Sequence, residues 1–396
     1  MSALTPGTGE LVWAAAAALA WLLGEVLARL VSVPRICAYA LVGFALSYAQ
    51  LGWLPRPSES SMMVLANIGL GLVLFECGYR TNLRWFVVNP WLGATSAVQT
   101  VLIFAGVHMA VVYFGGSPIT AALLATLALV ASPPEILRVI NEERSSGQVT
   151  ERLLHLSVLS AVVAVLLFNG VVGFWAFRNT GGLWSAVAGS ALTFAASVAL
   201  GVGLGIGLPP LVRWLGGTHV VASAATAMAV VLLVVLAHQF KLSSVLATMT
   251  FGLVVRQRRI LLGAAQRDFG PLGELLLVLL FVFLGASLSW VRVVDGLWLA
   301  LLIVGVRLVS QGLASLLFAR ASGLSWRKGA MAGLGLAPLS ALVLALLVET
   351  RYLGINLMDQ LSALAGATLI MAVAGPMLTR LALSRAQELP GPPAGR

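Results

Sequence analysis

Charged residues are scarce in this chain, and their scarcity excludes a soluble protein. Asp, Glu, Lys and Arg make up 10% of the 396 residues, whereas hydrophobic residues make up 60%. Soluble domains carry about 25% charged residues. Apolar stretches of roughly 20 residues, enough to cross the ~30 Å hydrocarbon core of a bilayer, recur from Leu11 to the C-terminal region. The composition therefore predicts one all-α polytopic membrane domain over residues 1–396, ending in a short cytoplasmic tail at 386–396.

Cysteines and metal-ligand clusters are equally sparse. Cys37 and Cys77 lie in or beside apolar runs and match no redox or metal spacing. No His, Asp, Glu and Cys cluster has metal-ligand spacing, so we expect no metal, no cofactor and no enzymatic activity. The net charge of +10 is spread over short gaps between apolar runs. We therefore expect a lipid bilayer, and no nucleic acid, as the partner of these charges.

Apolar runs between charged or Pro/Gly-rich breaks predict thirteen transmembrane helices. The predicted spans are 11–32, 36–54, 61–79, 91–114, 117–139, 152–177, 184–212, 219–239, 242–258, 271–290, 295–319, 329–349 and 360–384.

The Lys and Arg residues predict the orientation of these spans. Arg307 falls inside a span, and all but five of the others lie in one set of alternate gaps or in the C-terminal region. The five in the opposite gaps are Arg56, Arg178, Lys241, Arg292 and Arg351. Cytoplasmic loops are enriched in Lys and Arg, so the C-terminus is predicted inside and the N-terminus outside.

Three local patterns recur at nearly the same offset and suggest an internal duplication. They are Leu74-Phe-Glu-Cys-Gly78 with Phe281-Val-Phe-Leu-Gly285, Ala131-Ser-Pro133 with Leu336-Ala-Pro338, and Glu151 with Asp359. The duplication predicts two six-helix repeats, at about 11–177 and 219–384, joined by a linker helix at about 184–212. Because an odd number of spans separates them, the repeats would be inverted.

Proline within a span marks one predicted helix break in each repeat. Pro133 and Pro134 fall in span five, and Pro338 falls in span twelve. Proline removes a backbone donor and clashes with the preceding turn. Inverted repeats commonly place substrate at paired interrupted helices near the bilayer midplane. We therefore expect spans five and twelve to be interrupted and to cross, the alternative being an ordinary proline kink.

Several of these patterns are similar to those of one transporter family. They are Leu74-Phe75-x-x-Gly78, Ala131-Ser132-Pro133 with Leu137-Arg138-Val139-Ile140, and Leu336-Ala337-Pro338-Leu339-Ser340-Ala341. Over nearly its whole length the chain resembles the sodium/proton exchanger domain of the monovalent cation:proton antiporters, which include the glutathione-gated potassium efflux systems. The resemblance implies a dimerising panel and a mobile core, hence a homodimer. It also implies exchange of Na⁺ or K⁺ for protons by alternating access in the cell inner membrane.

The acidic residues of that family are replaced in this chain. Its two acids in span three correspond to Arg80 and Asn82, and its Asp-Asp pair in span six corresponds to Ser160 and Ala161. The basic residue that many members hold at mid-membrane in span eleven corresponds to Arg307. If the chain exchanges protons, another residue must therefore carry them.

Glu135 is the best candidate for an exchangeable carboxylate. Cation/proton exchange needs a group that holds either a proton or a cation, and a carboxylate has a pKa that its surroundings shift. Glu135 follows Pro133-Pro134 at the predicted break, and ionisable residues inside a membrane are costly and therefore functional candidates. In the alternative reading it lies near the cytoplasmic end and pairs with Arg138.

Four other polar residues complete the candidate set. Arg307 cannot release its proton. It would compensate a carboxylate or stand in for the cation, or simply pair with helix carbonyls and Gln311. Ser132 and Ser160 offer hydroxyl ligands, although serine in a membrane helix is often a packing residue. His155 is a candidate pH sensor, with an interfacial histidine as the alternative.

Three functions fit these residues. The first is an antiporter of Na⁺ or K⁺ and protons that uses Glu135, with Ser132, Ser160 and Arg307 around it. The second is a non-transporting scaffold or regulatory subunit, suggested by the missing acidic pair. The third is a transporter of an anionic substrate attracted by Arg307.

Overall fold

The computed structural model of the protein describes residues 6–30, 33–55, 62–177, 183–216, 218–258, 270–339, 342–343, 346 and 362–390. Every regular element within these ranges is helical. The helices are α1 (Pro6–Leu30), α2 (Arg35–Leu46), α3 (Met62–Arg80), α4 (Leu83–Val88), α5 (Pro90–Tyr113), α6 (Pro118–Ala128), α7 (Pro133–Glu143), α8 (Gln148–Phe177), α9 (Leu183–Trp214), α10 (His219–Gln239), α11 (Ser244–Gln257), α12 (Gly270–Ala286), α13 (Trp290–Asp295), α14 (Leu297–Leu317), α15 (Trp326–Gly335) and α16 (Ser362–Arg385).

The prediction of an all-α polytopic membrane protein is confirmed. Within the described ranges, nine segments are long and apolar enough to cross a membrane, and Arg35–Leu46 and Leu272–Ala286 are shorter apolar helices. The total of thirteen spans stays a prediction. So do the predicted repeat boundaries at 11–177, 184–212 and 219–384.

The helices form two packed groups. One group, the panel, contains α1, α2, α3, α9, α10, α11 and α12, and its most extensive packing is of α11 on α3 and α9, followed by that of α2 on α12. The other group, the core, contains α5, α6, α7, α8, α14, α15 and α16, with α14 packed on α5 and α15. In sequence order, the panel helices α1–α3 precede the core segments α5, α6–α7 and α8. After α9, the panel helices α10–α12 precede the core segments α14, α15 and α16. This order is the one that an internal duplication produces.

Matched glycines make the closest contacts of the panel in both halves. A Cβ on Gly78 of α3 would lie 2.1 Å from the Met249 carbonyl oxygen, and one on Gly285 of α12 would lie 2.0 Å from that of Ala40. Neither position therefore admits a side chain without movement of the facing backbone. The sequence pairs Gly78 with Gly285, and the structure gives each of them a helix–helix contact of the same kind.

Several ion pairs between helices of the described residues lie at one end of the bundle. We call it the basic end; it is where α1, α3, α7 and α16 end and where α2 and α12 begin. Ion pairs connect these helices there. The ion pairs Glu25–Arg29 and Glu76–Arg80, which the four-residue spacing predicts, are present with N–O distances of 2.9 and 2.8 Å.

Candidate ion-binding site

The first predicted helix break is present between α6 and α7. Helix α6 ends at Ala128 and α7 begins at Pro133. Ser132 precedes a proline and has extended backbone, with φ −63° and ψ 101°, because the proline ring disfavours helical conformation at that position. Proline is favoured in the first turn of a helix, where no amide donor is needed. Pro133 and Pro134 therefore end one half-helix and begin another.

The second break follows α15. Helix α15 ends at Gly335, and residues 336–339 are not helical. The amide of Ser132 donates to the Pro338 carbonyl at 2.8 Å, so the two breaks touch. Gly375 of α16 packs on this point, since a Cβ there would lie 2.8 Å from the Pro338 Cα. The predicted crossing of two interrupted helices is thus present, whereas Ser340, Ala341 and Asp359 lie outside the described residues.

Arg307 of α14 connects both breaks through its guanidinium group. Its side chain is 0% exposed. Nε donates to the Ala128 carbonyl at 2.9 Å, and Nη2 donates to those of Leu336 and Pro338 at 3.0 Å each. Nη1 donates to Ala337 and Nη2 also to Val130.

These carbonyls explain why a full charge is tolerated at this depth. The last carbonyls of a helix have no partner within it, and the helix dipole makes that end partly negative. Two such ends, those of α6 and α15, face the same guanidinium. Arg307 thus donates to helix carbonyls, as one of its predicted alternatives has it, but its described hydrogen bonds do not include one to Gln311. Gln311 instead donates to the Leu336 carbonyl at 3.1 Å.

Glu135 lies in the first turn of α7, where a negative charge favours the helix dipole. It is 0% exposed, and when ionised it would favour the positive charge of Arg307. The sequence left open a pairing of Glu135 with Arg138, but the ion pair of Arg138 is with Glu274 of α12, at 3.2 Å. The break therefore places one acidic and one basic residue in the interior of the bundle.

The two candidate serines have different environments. Ser160 donates to the Ser157 carbonyl at 2.9 Å and accepts from the Ala131 amide at 3.2 Å, so it holds the first break against α8. The Ser132 hydroxyl is fully buried and has no hydrogen-bond partner among the described residues. Ser132 thus offers an oxygen that a ligand can use, whereas the Ser160 hydroxyl already serves the fold.

A family model described as "Sodium/hydrogen exchanger, transmembrane" matches residues 14–384. The chain belongs to this family. A comparison with curated protein sequences finds no significant match. The chain is similar to a solved structure of the sodium proton antiporter MjNhaP1 from Methanocaldococcus jannaschii at pH 8, with a TM-score of 0.62, 16% identity and coverage of 95% of this chain and 96% of that one. An electron-microscopy structure of MjNhaP1 gives a TM-score of 0.72 at 16% identity, with coverage of 97% and 96%.

His155 is buried within the protein, and whether it lies at the membrane interface stays a prediction. It is 0% exposed, its Nδ1 lies 2.7 Å from the Glu151 carbonyl oxygen, and its Nε2 accepts from the Asn82 amide at 3.1 Å. The ring packs on Trp85 of α4 with centroids 4.5 Å apart. These bonds fit a neutral ring with the proton on Nδ1. Protonation of Nε2 would break the bond to Asn82, and the role of His155 as a pH sensor stays a prediction.

Two acidic residues that make polar contacts between helices were not predicted from the sequence. The Glu142 carboxylate accepts a hydrogen bond from the backbone amide of Arg35 at the start of α2. Each of its oxygens lies 3.4 Å from that nitrogen. Glu142 lies seven residues after Glu135, so both are on one face of α7. This spacing is the signal from which the sequence could have identified Glu142. Glu388 accepts from the amides of Val149 and Thr150 at 2.8 Å, at the start of α8. No local pattern links residues so distant in sequence.

Proposed function

We propose that this protein moves a monovalent cation, Na⁺ or K⁺, against protons by alternating access, with Glu135 as the exchangeable carboxylate. One observation carries the proposal: Glu135 is fully buried at the crossing of the two broken helices. The acidic pair that the resemblance expects on α8 is Ser160 and Ala161, so a carboxylate on α7 supplies the missing chemistry.

The chemistry follows from the surroundings of Glu135. A buried carboxylate holds a proton when no cation is near, and a bound cation favours its ionised form. Proton and cation therefore compete for one group. The Ser132 hydroxyl supplies a second hard oxygen ligand. Arg307 reduces the cost of an ionised Glu135 between binding events, because its positive charge remains in place.

A single exchanged carboxylate has consequences for charge movement. One proton released for one monovalent cation bound gives electroneutral exchange. The basic end would face the cytoplasm, since cytoplasmic loops are enriched in Lys and Arg, and the N-terminus would then lie outside, in the cell inner membrane. The protein would act as a homodimer, as the family resemblance implies.

Substitution of Glu135 tests the proposal directly. In everted vesicles, cation addition to wild type releases the fluorescence quench of a pH-sensitive dye. Glu135→Gln keeps the size of the side chain and removes the titratable group, so exchange should fall by about 100-fold or more, in the range that single proton-transfer groups contribute to rates.

Glu143→Gln is the matched control for this experiment. Glu143 lies on the same helix and pairs with Arg380 of α16, away from the break, so this variant should retain exchange. The proposal is wrong if Glu135→Gln exchanges cations as fast as Glu143→Gln does.

The second candidate function is a non-transporting membrane scaffold or regulatory subunit, which the replacement of the acidic pair by Ser160 and Ala161 favours. Purified protein in liposomes that moves no proton, sodium, potassium or lithium would support it. The third candidate, an anion transporter, loses its motivation, because the carbonyls of both breaks accept the hydrogen bonds of Arg307.

A further inference from the structure

The half of α7 nearest the basic end is bound to the panel by three polar contacts. Arg138 pairs with Glu274 of α12 at 3.2 Å. The Asn141 amide group donates to Glu76 of α3 at 3.2 Å. Since α7 belongs to the core and both partners belong to the panel, each contact crosses between the two groups.

Glu142 makes the third contact, with the start of α2. The Arg35 side chain lies 3.6 Å from Glu142 Oε1, and its backbone amide donates to the same carboxylate. The carboxylate therefore meets both a guanidinium and the positive end of a helix dipole. Arg35 also pairs with Glu25 of α1 at 3.0 Å, so two panel helices are joined to the end of α7.

The neighbouring residue shows that such contacts need not cross between the groups. Glu143 pairs with Arg380 of α16, which belongs to the core together with α7. Two adjacent glutamates thus differ in one respect: the pair of Glu142 crosses between core and panel, and the pair of Glu143 stays within the core.

The crossing contacts lie between Glu135 and the basic end. Glu135 and Glu142 are two helical turns apart on one face of α7, roughly 10 Å along the helix axis. Cys37 lies in the first turn of α2, two residues after Arg35, whose backbone amide donates to Glu142. Its side chain is 1% exposed and donates to the Val373 carbonyl at 3.4 Å. Within the described part of the chain, the thiol is therefore shielded from solvent.

We propose that Arg35–Glu142, Arg138–Glu274 and Glu76–Asn141 form a gate that closes the basic end of the route to Glu135. The inference deepens the proposed exchange, and it rests on Glu135 as the site that is gated. The contacts are partly exposed, and such pairs stabilise only weakly. Movement of the core against the panel breaks all three at modest cost, which a gate that opens in every cycle requires.

The thiol of Cys37 reports opening without any transport measurement. A Cys77→Ala background leaves it as the single cysteine of the chain. In everted vesicles a membrane-impermeant maleimide should label it slowly. Glu142→Gln removes one crossing pair and should raise the labelling rate about threefold, and the double variant with Glu274→Gln about tenfold, as the closed population falls.

Glu143→Gln serves as the matched control and should label at the background rate. Arg35→Gln removes the same pair from the panel side and should reproduce Glu142→Gln. Labelling after denaturation confirms equal amounts of thiol, and elution as a single peak in detergent confirms folding.

Two results would overturn the gate: Arg35→Gln labelling at the background rate, or Glu143→Gln labelling as fast as Arg35→Gln does. Arg35→Gln is the deciding variant, because Glu142→Gln also removes a negative charge that disfavours the reactive thiolate of Cys37. Labelling does not depend on exchange, so a transport-inactive protein can still show the gate. Conversely, exchange can persist while the labelling pattern contradicts it. The two proposals therefore fail separately.

Discussion

The crossing of the broken helices and the basic end satisfy their charges in different ways. At the crossing, Arg307 is bound by backbone carbonyls of two helix ends and is 0% exposed. At the basic end, partly exposed side chains such as Arg35 and Glu142 pair with one another. Backbone partners move only if the fold changes, whereas side-chain pairs separate when two groups shift. The hydrogen bonds of Arg307 are therefore suited to a part of the fold that stays fixed, and the ion pairs at the basic end to a part that moves.

The largest expected effect is that of removing the buried positive charge of Arg307. Arg307→Met leaves the carbonyls of both breaks buried without donors and should lower the free energy of unfolding by roughly 3–5 kcal/mol, the range for breaking a buried charged interaction. Arg307→Lys keeps the positive charge but not the planar set of donors, so its free energy of unfolding should fall by less than that of Arg307→Met. Thermal unfolding in detergent measures both.

Arg258→Met is the control for this comparison. Arg258 is exposed at the end of α11, so its replacement should leave unfolding nearly unchanged. Equal losses for Arg307→Met and Arg258→Met would show that the carbonyls of the breaks do not need the guanidinium.

An intermediate effect is expected at Glu388, which lies at the basic end but has backbone partners. Its carboxylate accepts from the Val149 and Thr150 amides and from the Thr150 hydroxyl at 2.9 Å, and Lys328 lies 3.3 Å away. Glu388→Gln weakens these charge-assisted bonds and should lower the free energy of unfolding by about 2 kcal/mol. Glu151→Gln, at an exposed carboxylate in the same turn of α8, should have little effect.

The same residue gives a pH dependence with a definite sign. Burial raises the pKa of Glu388, but the hydrogen bonds from Val149, Thr150 and Lys328 outweigh it, so the pKa is lowered in the folded protein. Its contribution to stability is then complete above the ordinary carboxyl range and is lost as the pH falls through the lowered pKa. The difference in stability between wild type and Glu388→Gln should be constant near neutral pH and should shrink in acid. A difference that grows in acid would contradict this assignment.

The prediction from sequence succeeded where a feature is local and repeated. Pro133 and Pro338 marked both helix breaks, because proline acts on the residues beside it. Gly78 and Gly285 recurred at one offset, and each makes a close helix contact. Hydropathy gave the all-helical membrane fold, since a bilayer requires long apolar segments.

The partners of charged residues could not be predicted in the same way. The sequence placed Arg307 inside a membrane span, but its acceptors are backbone carbonyls at and after the ends of α6 and α15, and a carbonyl has no sequence signature. Glu142 and Arg35 are distant along the chain and meet only because α7 packs beside α2. Glu388 reaches α8 through the turn after α16. Long-range polar contacts depend on tertiary packing, which hydropathy and spacing do not specify.

The smallest expected effects are those of replacing Ser132 and Ser160, the two serines at the crossing of the broken helices. They differ in whether the hydroxyl has a hydrogen-bond partner. Ser160→Ala leaves the Ala131 amide without its acceptor and should lower the free energy of unfolding by about 1 kcal/mol, with exchange retained. Ser132→Ala removes a hydroxyl that has no partner in the described part of the chain, so unfolding should be unchanged. If Ser132 is a cation ligand, its loss should weaken apparent cation affinity by roughly tenfold. Unfolding and concentration-dependent exchange, measured on both variants, distinguish a framework hydroxyl from a ligand. The reverse pattern would assign the cation to Ser160 and place the site on α8, where the family resemblance first located it.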